Sequence, residues 1–339
     1  MPYHQSRRSQ PPSISQTTLL LLSLFSPTSS QKTNSKRGLA SLGSTHTSDN
    51  SLLGSPSSPL FWYYNWSPYP LNAPSQTAIT ALEFVPLIHG IYGAEDSQTS
   101  TAINSLPSTS KHLLSFNEPD GTTDSGGSSI EPEDAARAYI EHIVPYRTSN
   151  RKWLISHPSV TGSPRGLEWL RQFNESCWEI DEENGCPTDF IAAHWYGAYD
   201  GLTGWLSQLD EYYKNGTASE QDLKIWITEL ALPQQSEQET VNMMNVTLPY
   251  LDELDYVERY AWFGDFRRKD ADEWAGDNVA MFDDDGGLTA LGALYLGGEA
   301  NGFEEGQEGK GEGAASSVKV NTGMMASVFA GAVVMVNWL

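Results

Sequence analysis

The stretch "LLSFNEPD", Leu113–Asp120, joins an apolar run directly to two acidic residues. Leu113 to Phe116 has the continuous apolar character of a strand buried on both faces, and Pro119 would end its hydrogen bonding. Glu118 therefore stands at the carboxyl end of a buried strand, where a carboxylate is costly unless it is paired or functional. The stretch predicts a parallel α/β fold with chemistry at its strand ends.

Six further apolar or aromatic runs have the same character, and helix-like segments such as Glu133–Tyr146 and Leu167–Phe173 lie between runs. The seven predicted strands are Phe61–Asn65, Phe84–His89, Leu113–Asn117, Trp153–His157, Phe190–Tyr196, Ile225–Leu230 and Arg259–Phe263. Strands that alternate with helices over roughly 240 residues are typical of a (β/α)8 TIM barrel of the α/β class. One strand would then be degenerate, and an open doubly wound sheet remains the alternative. The final helix is expected within "GGLTALGALYLG", Gly286–Gly297.

Polar and aromatic side chains gather at the carboxyl ends of these runs. They are Asn65, Trp66, His89, Asn117, Glu118, His157, His194, Trp195, Tyr196, Glu229 and Trp262. The carboxyl ends of barrel strands converge on one rim, which is where barrel enzymes build their active sites.

The second acid, Glu229, lies in "IWITELAL", Ile225–Leu232, and alternation places it on the same face as Ile225 and Ile227. Two carboxylates that face each other across a barrel mouth are what glycoside hydrolysis requires. An exposed glutamate or an ion pair would explain either acid alone. A zinc site is disfavoured because the sequence has no closely spaced His or Cys pair of the metal-binding type. We therefore expect no metal and no organic cofactor.

Composition narrows the classes of partner. The chain has 339 residues and a formal net charge of −23, so it repels phosphate backbones, and nucleic acid is an unsuitable partner. It also carries 11 Trp and 15 Tyr, whose flat rings suit stacking on sugars.

Several features are typical of a secreted glycoprotein. Cys177 and Cys186 are close in sequence and are expected to form a disulfide, with two unrelated thiols as the alternative. Sequons at Asn174, Asn215 and Asn245 predict glycosylation.

The two ends of the chain resemble processing signals. Residues 1–30 are predicted to be a signal peptide, and the Ser/Thr/Pro-rich residues 31–59 a linker or propeptide with a candidate dibasic cleavage site at Lys36-Arg37. Residues 60–297 would form the barrel domain. Residues 298–323 would be a Gly/Glu/Ser-rich linker with a GPI attachment region, and 324–339 a hydrophobic tail that is removed. A transmembrane helix is the alternative for the tail. The expected protein is secreted, monomeric and bound to the cell surface or wall through a lipid anchor only.

Seven motifs occur here in the order in which they occur in a known family. They are "FWYYNW", "EFVPLIHG", "LLSFNEPD", "DFIAAHWYG", "IWITELAL", "RYAWFG" and "GGLTALGALY". The chain resembles the Asl-like glycosyl hydrolase catalytic domains of glycoside hydrolase family 128 over Leu60–Leu296. The resemblance implies a TIM-barrel β-1,3-glucanase of the retaining type, with Glu118 as acid/base and Glu229 as nucleophile.

The resemblance and the rim positions together suggest roles for the neighbouring residues. The expected substrate-binding residues are Asn117, His194, Tyr196, Trp262, Tyr64 and Asn65. Asn117 would hold the 2-hydroxyl of the reacting sugar, Tyr196 would fix the nucleophile, and Trp262 would form an aromatic floor. Leu230, His89 and His157 depart from the family pattern, which leaves endo or exo action undetermined.

Two alternatives to hydrolysis remain at this stage. The same residues would serve a β-1,3-glucan transglycosylase, in which a sugar replaces water as the acceptor. A wall-anchored glucan-binding protein without turnover is the alternative from another class, although binding alone needs neither acid.

Overall fold

The computed structural model describes residues 35–215, 217 and 222–311, which contain eight strands that pair in parallel. The strands are β1 Arg37–Ala40, β2 Trp62–Tyr64, β3 Glu83–Phe84, β4 His112–Leu113, β5 Leu154–Ile155, β6 Phe190–Tyr196, β7 Lys224–Ala231 and β8 Val257–Trp262. The predicted (β/α)8 barrel is confirmed.

The barrel closes through two kinds of pairing. Six strands form one sheet in the order β3-β2-β1-β8-β7-β6, and β4 pairs with β5. Parallel bridges Leu87–Leu114 and Ser156–Phe190 then join the two parts on either side. Closure brings the carboxyl ends of all strands to one rim.

Helices cover the outside of the barrel and connect most of the strands. They are α1 Thr47–Leu53, α2 Ile91–Glu95, α3 Ser97–Ser105, α4 Pro132–Ala138, α5 Val144–Thr148, α6 Pro164–Ile180, α7 Tyr199–Asn215, α8 Glu237–Glu253 and α9 Ala290–Tyr295, with a π-helical turn at Tyr139–Ile143 between α4 and α5. Between β2 and β3 the chain makes only two short 3-10 turns, Pro74–Gln76 and Ile79–Ala81.

The missing eighth strand is β1, which the sequence analysis assigned to a linker. Gly38 pairs with Trp62 of β2 and with Ala261 of β8, so Arg37–Ala40 closes the barrel. The strand escapes a pattern search because it is short and contains a glycine. That glycine is required, since a Cβ there would lie 2.2 Å from the Trp62 ring that fills the barrel. The folded domain therefore begins before residue 60.

Lys36 and Arg37, considered as a cleavage site, are bonded into this closed seam. Lys36 Nζ donates to the carbonyls of Leu251 and Leu254, and Arg37 Nε donates to Tyr260 Oη. Cleavage after Arg37 would separate these contacts from the barrel.

The carboxyl end of the domain also extends further than expected. Phe303 is buried, Leu288 N donates to Gln307 O, and Lys310 N donates to Ser51 Oγ of α1. Residues 298–311, which fall in the predicted linker, therefore pack on the barrel. The predicted signal peptide, the attachment region beyond 311 and the tail 324–339 lie outside the described residues.

The predicted disulfide is confirmed: Cys177, near the end of α6, is bonded to Cys186 in the following loop. Within the described ranges, none of the helices has both the length and the apolar character needed to cross a membrane.

Candidate active site

Glu229 reaches the barrel mouth because β7 contains a bulge. Ala193 of β6 pairs with Ile227, whereas His194 pairs with Glu229, so Thr228 is an extra residue. Alternation predicts that Glu229 lies on the face of Ile225 and Ile227, but those two residues pack between the barrel and its helices. The bulge, rather than simple alternation, turns the carboxylate inward.

Three donors surround the Glu229 carboxylate. Tyr64 Oη lies 3.2 Å and Trp66 Nε1 lies 2.7 Å from Oε1, while Tyr196 Oη donates to Oε2. These hydrogen bonds fix the rotamer of the carboxylate. Burial and the charge of Glu229 raise the pKa of both tyrosines well above its usual value, so both stay protonated as donors.

Glu118 adopts an uncommon backbone conformation. Its φ is +38°, in the left-handed region that non-glycine residues rarely enter. Glu118 N donates to Ser159 O at 2.7 Å, and Gly121 N donates back to Glu118 O at 2.9 Å. Gly127 packs so closely on the same carbonyl that a Cβ there would lie 2.6 Å from it. Neighbouring loops thus hold the strained residue in place.

His194 lies between the two acids and is itself buried. Its Nδ1 is 2.8 Å from Glu118 Oε1, and its Nε2 is 3.4 Å from Glu229 Oε1. Burial works to lower the pKa of His194, but the charges of Glu229 and Glu118 outweigh it and raise the pKa. One atom from each of the three side chains lies within 4.8 Å of the other two, which brings the predicted catalytic pair together.

The same three side chains have the composition and spacing of a small metal site. His194 Nδ1 hydrogen-bonds to Glu118 and Tyr196 Oη donates to Glu229, whereas His194 Nε2 is buried without a hydrogen-bond partner among the described residues.

Asp120 joins the Glu118 turn to the loop after β5. Its side chain is fully buried and accepts hydrogen bonds from Thr161 N at 3.0 Å and from Thr161 Oγ1. Thr161 Oγ1 also lies 2.9 Å from Ser163 Oγ, which caps α6 by accepting from Gly166 N. The acid-bearing turn, the β5 loop and the start of α6 are therefore linked.

A cavity of about 850 Å³, here named the reaction cavity, opens above these acids. Its lining includes Glu118, Glu229, Tyr196 and Asn117, together with the aromatic side chains of Trp66, Phe263 and Trp274. The acids form its polar centre and the rings its walls, as in sites that bind pyranose rings.

The remaining predicted substrate-binding residues lie in different places. Asn117 lines the reaction cavity, donates to Gly126 O at 3.1 Å and leaves its buried Oδ1 without a partner. Tyr64 is buried behind Glu229 rather than exposed to a substrate. Asn65 donates to Tyr69 O in its own loop.

Trp262 does not form the expected floor. It is 1% exposed and does not line the reaction cavity, and its Nε1 donates to Val279 O at 2.9 Å. The next residue, Phe263, takes the place at the cavity wall. The run "RYAWFG" carries both rings, and its pattern does not distinguish which of the two faces the barrel mouth.

Trp274 was missed because it lies in the acidic stretch "DADEWAGD", outside any predicted element. Trp66 is predicted at the rim, but its hydrogen bond to Glu229 is not predicted by the sequence pattern.

Comparisons with known proteins agree with this geometry. A family model described as the glycosyl hydrolase catalytic core matches residues 38–295. Alkali-sensitive linkage protein 1 of Schizosaccharomyces pombe is 30% identical over 272 residues, which is 77% of this chain and 44% of that protein. The chain thus spans less than half of that relative.

Two solved structures show the same fold over nearly their whole length. A curdlan-specific exo-β-1,3-glucanase of glycoside hydrolase family 128 from Blastomyces gilchristii, in complex with glucose, is 29% identical; the match covers 77% of this chain and 97% of that one, with a TM-score of 0.56. A family 128 endo-β-1,3-glucanase from Sorangium cellulosum is 25% identical, with 77% and 98% covered and a TM-score of 0.59. The chain therefore belongs to the glycosyl hydrolase catalytic core family, and it is similar in fold to the two family 128 structures.

Proposed function

We propose that the protein cleaves β-1,3-glucan with retention of anomeric configuration. The observation that carries the proposal is the spacing of the acids, since an oxygen of Glu118 and an oxygen of Glu229 lie within 4.8 Å. Retaining enzymes hold their carboxyl groups about 5–5.5 Å apart, whereas inverting enzymes leave about 6.5–9.5 Å for a water. The short separation favours direct attack by one carboxylate.

The surroundings of each acid support its role. Glu229 accepts from two tyrosine hydroxyls and an indole, which stabilise a carboxylate, so it suits the nucleophile. Glu118 has the imidazole of His194 as its close partner, and that imidazole can exchange a proton with it. Glu118 therefore suits the acid/base.

The reaction then proceeds in two steps. A Glu229 oxygen bonds to the anomeric carbon while the glycosidic bond breaks, and the leaving oxygen takes the proton of Glu118. In the second step a water molecule gives a proton to the Glu118 carboxylate, and the water oxygen displaces Glu229 from the anomeric carbon. A sugar hydroxyl in place of that water would make the same site a transglycosylase.

Laminari-oligosaccharides test the proposal directly. We expect the wild type to release reducing sugar, and we expect the Glu118→Gln and Glu229→Gln variants to fold but lose nearly all release. Proton NMR of the first product should show the β-anomer before mutarotation. An α-anomer would overturn retention, products longer than the substrate would assign transfer, and binding without any release would favour a glucan-binding protein.

We also propose a cell-surface location with attachment through a GPI anchor and a role in the cell wall. The disulfide supports an oxidising compartment, and the sequons at Asn215 and Asn245 lie on exposed helix positions, while Asn174 is half-buried. Release of the protein from intact cells by a phosphatidylinositol-specific phospholipase would support the anchor. A mobility shift on peptide N-glycosidase treatment would support the glycans.

A further inference from the structure

Trp274 is an exposed aromatic ring on a fixed backbone. Trp274 is 57% exposed, and no other tryptophan among the described residues is as accessible to solvent. The turn that carries it is closed by Ala275 N donating to Asp272 Oδ1 at 2.6 Å and by Gly276 N donating to Asp272 O at 3.0 Å. The backbone beneath the exposed ring is therefore held by two hydrogen bonds within the turn.

Gln234, in the loop after β7, holds this turn from the other side. Its amide donates to Glu273 O at 2.6 Å and to Trp274 O at 3.1 Å, and its own N donates to Ala275 O at 3.1 Å. Gln234 has a φ of +58°, which a non-glycine residue rarely adopts. Strained backbone persists where the surroundings require it, and such positions cluster at ligand sites.

Trp274 stands where two cavities meet. The reaction cavity lies on one side, and a second cavity of about 910 Å³, here named the outer cavity, lies on the other. Both are lined by Trp274 and Tyr196, whose rings lie edge to face at 4.6 Å. The outer cavity adds Tyr199, Leu232 and Asn242, an aromatic, an apolar and an amide side chain.

We propose that the outer cavity binds the part of a glucan chain that lies beyond the reacting sugar, with Trp274 as the stacking platform between the two cavities. A ring that is exposed, carried on a hydrogen-bonded turn and in contact with Tyr196, the partner of Glu229, offers the flat apolar face that a pyranose needs. Amide groups in the outer cavity then meet its hydroxyls. This inference rests on the proposed function for its ligand class, and it extends the site from one sugar to several.

Binding to an inactive variant tests the inference without relying on turnover. In the Glu229→Gln background, calorimetry with laminaribiose and laminarihexaose measures how much affinity a longer chain adds. Adding Trp274→Ala should weaken laminarihexaose binding about tenfold and leave laminaribiose within about twofold, because only the longer chain reaches past the platform. Trp274→Phe should recover part of the loss.

Tyr92→Ala provides a matched control, since Tyr92 is 92% exposed and lines neither cavity. It should leave both affinities unchanged. Equal loss for both ligands in Trp274→Ala, or no loss for either, would overturn the role of the outer cavity while leaving the proposed function intact. Failure of the Glu229→Gln parent to bind any glucan would instead refute the proposed function, and this inference with it.

Discussion

Replacing Asp120 with alanine should damage acid catalysis more than substrate binding. The substitution leaves Thr161 N–H and the Thr161 hydroxyl without their buried acceptor and frees the turn that carries Glu118. The left-handed φ of Glu118 costs on the order of 1–3 kcal/mol and persists only while its neighbours enforce it. Losing about 1.4–2.8 kcal/mol of that restraint lowers the rate by about 10- to 100-fold. KM should change little, because the walls of the reaction cavity remain.

The choice of leaving group makes the assay specific. The phenolate of an aryl glucoside of an acidic phenol departs without a proton, whereas in the proposed mechanism a sugar leaving group needs the proton of Glu118. The value of kcat/KM, which reports the first chemical step, should therefore fall strongly for laminari-oligosaccharides and only weakly for the aryl glucoside. Thr161→Val, which keeps the backbone N–H bond, should show a smaller loss in the same direction.

Equal losses on both substrates would refute this reasoning, because general damage to the fold lowers both. Full activity with a lower melting temperature would also refute it and would make Asp120 a stabilising residue only. Arg165→Ala is the neighbouring control: Arg165 is 68% exposed and lies 3.8 Å from Asp120 Oδ2, so its removal should be nearly neutral.

Three further predictions follow from other contacts. Tyr196→Phe removes the hydroxyl that donates to Glu229, so kcat should fall by about 10- to 100-fold while the folded variant still binds glucan. An unchanged kcat in steady-state assays would show that this hydrogen bond does not support the reaction. Burial raises the pKa of Asp265 to about 7, so the native state favours the neutral acid, and the free energy of unfolding should decline by about 1.4 kcal/mol per pH unit between about pH 4 and 7. In urea titrations Asp265→Asn should flatten that decline. The same pH dependence of the unfolding free energy in wild type and variant would exclude Asp265 as its source. Glu83→Gln removes the ion pair between Arg259 and Glu83, whose side chains are 9% and 17% exposed, and should lower the free energy of unfolding by about 1.5–3 kcal/mol without changing KM. A loss below about 1 kcal/mol would show that the pair contributes little.

The sequence predicted the barrel because seven of its strands are continuous apolar runs with a polar end. Phe190–Tyr196 matches β6 residue for residue. The sequence pattern did not predict β1, because a four-residue strand that contains Gly38 has no periodicity to detect. The residues that pair with Gly38, Trp62 and Ala261, are also distant from it in sequence. The need for glycine there is visible only once Trp62 lies across it.

The candidate site was predictable in its chemistry but less so in its geometry. Both acids were found because a carboxylate at the end of an apolar run is costly without a purpose. Alternation could not place Glu229 correctly, because the inserted Thr228 changes the register of β7. Alternation likewise could not distinguish Trp262 from Phe263, and Trp274 lies in a turn whose position depends on contacts with Gln234.

The left-handed backbone at Glu118 has a consequence for directed evolution of this enzyme. A residue selected for stability alone at this position would be glycine or asparagine, which enter that region at little cost. Libraries screened only for heat resistance would thus enrich replacements that abolish the acid, and the gain in melting temperature would conceal the loss. Each round of such a selection has to include turnover on glucan.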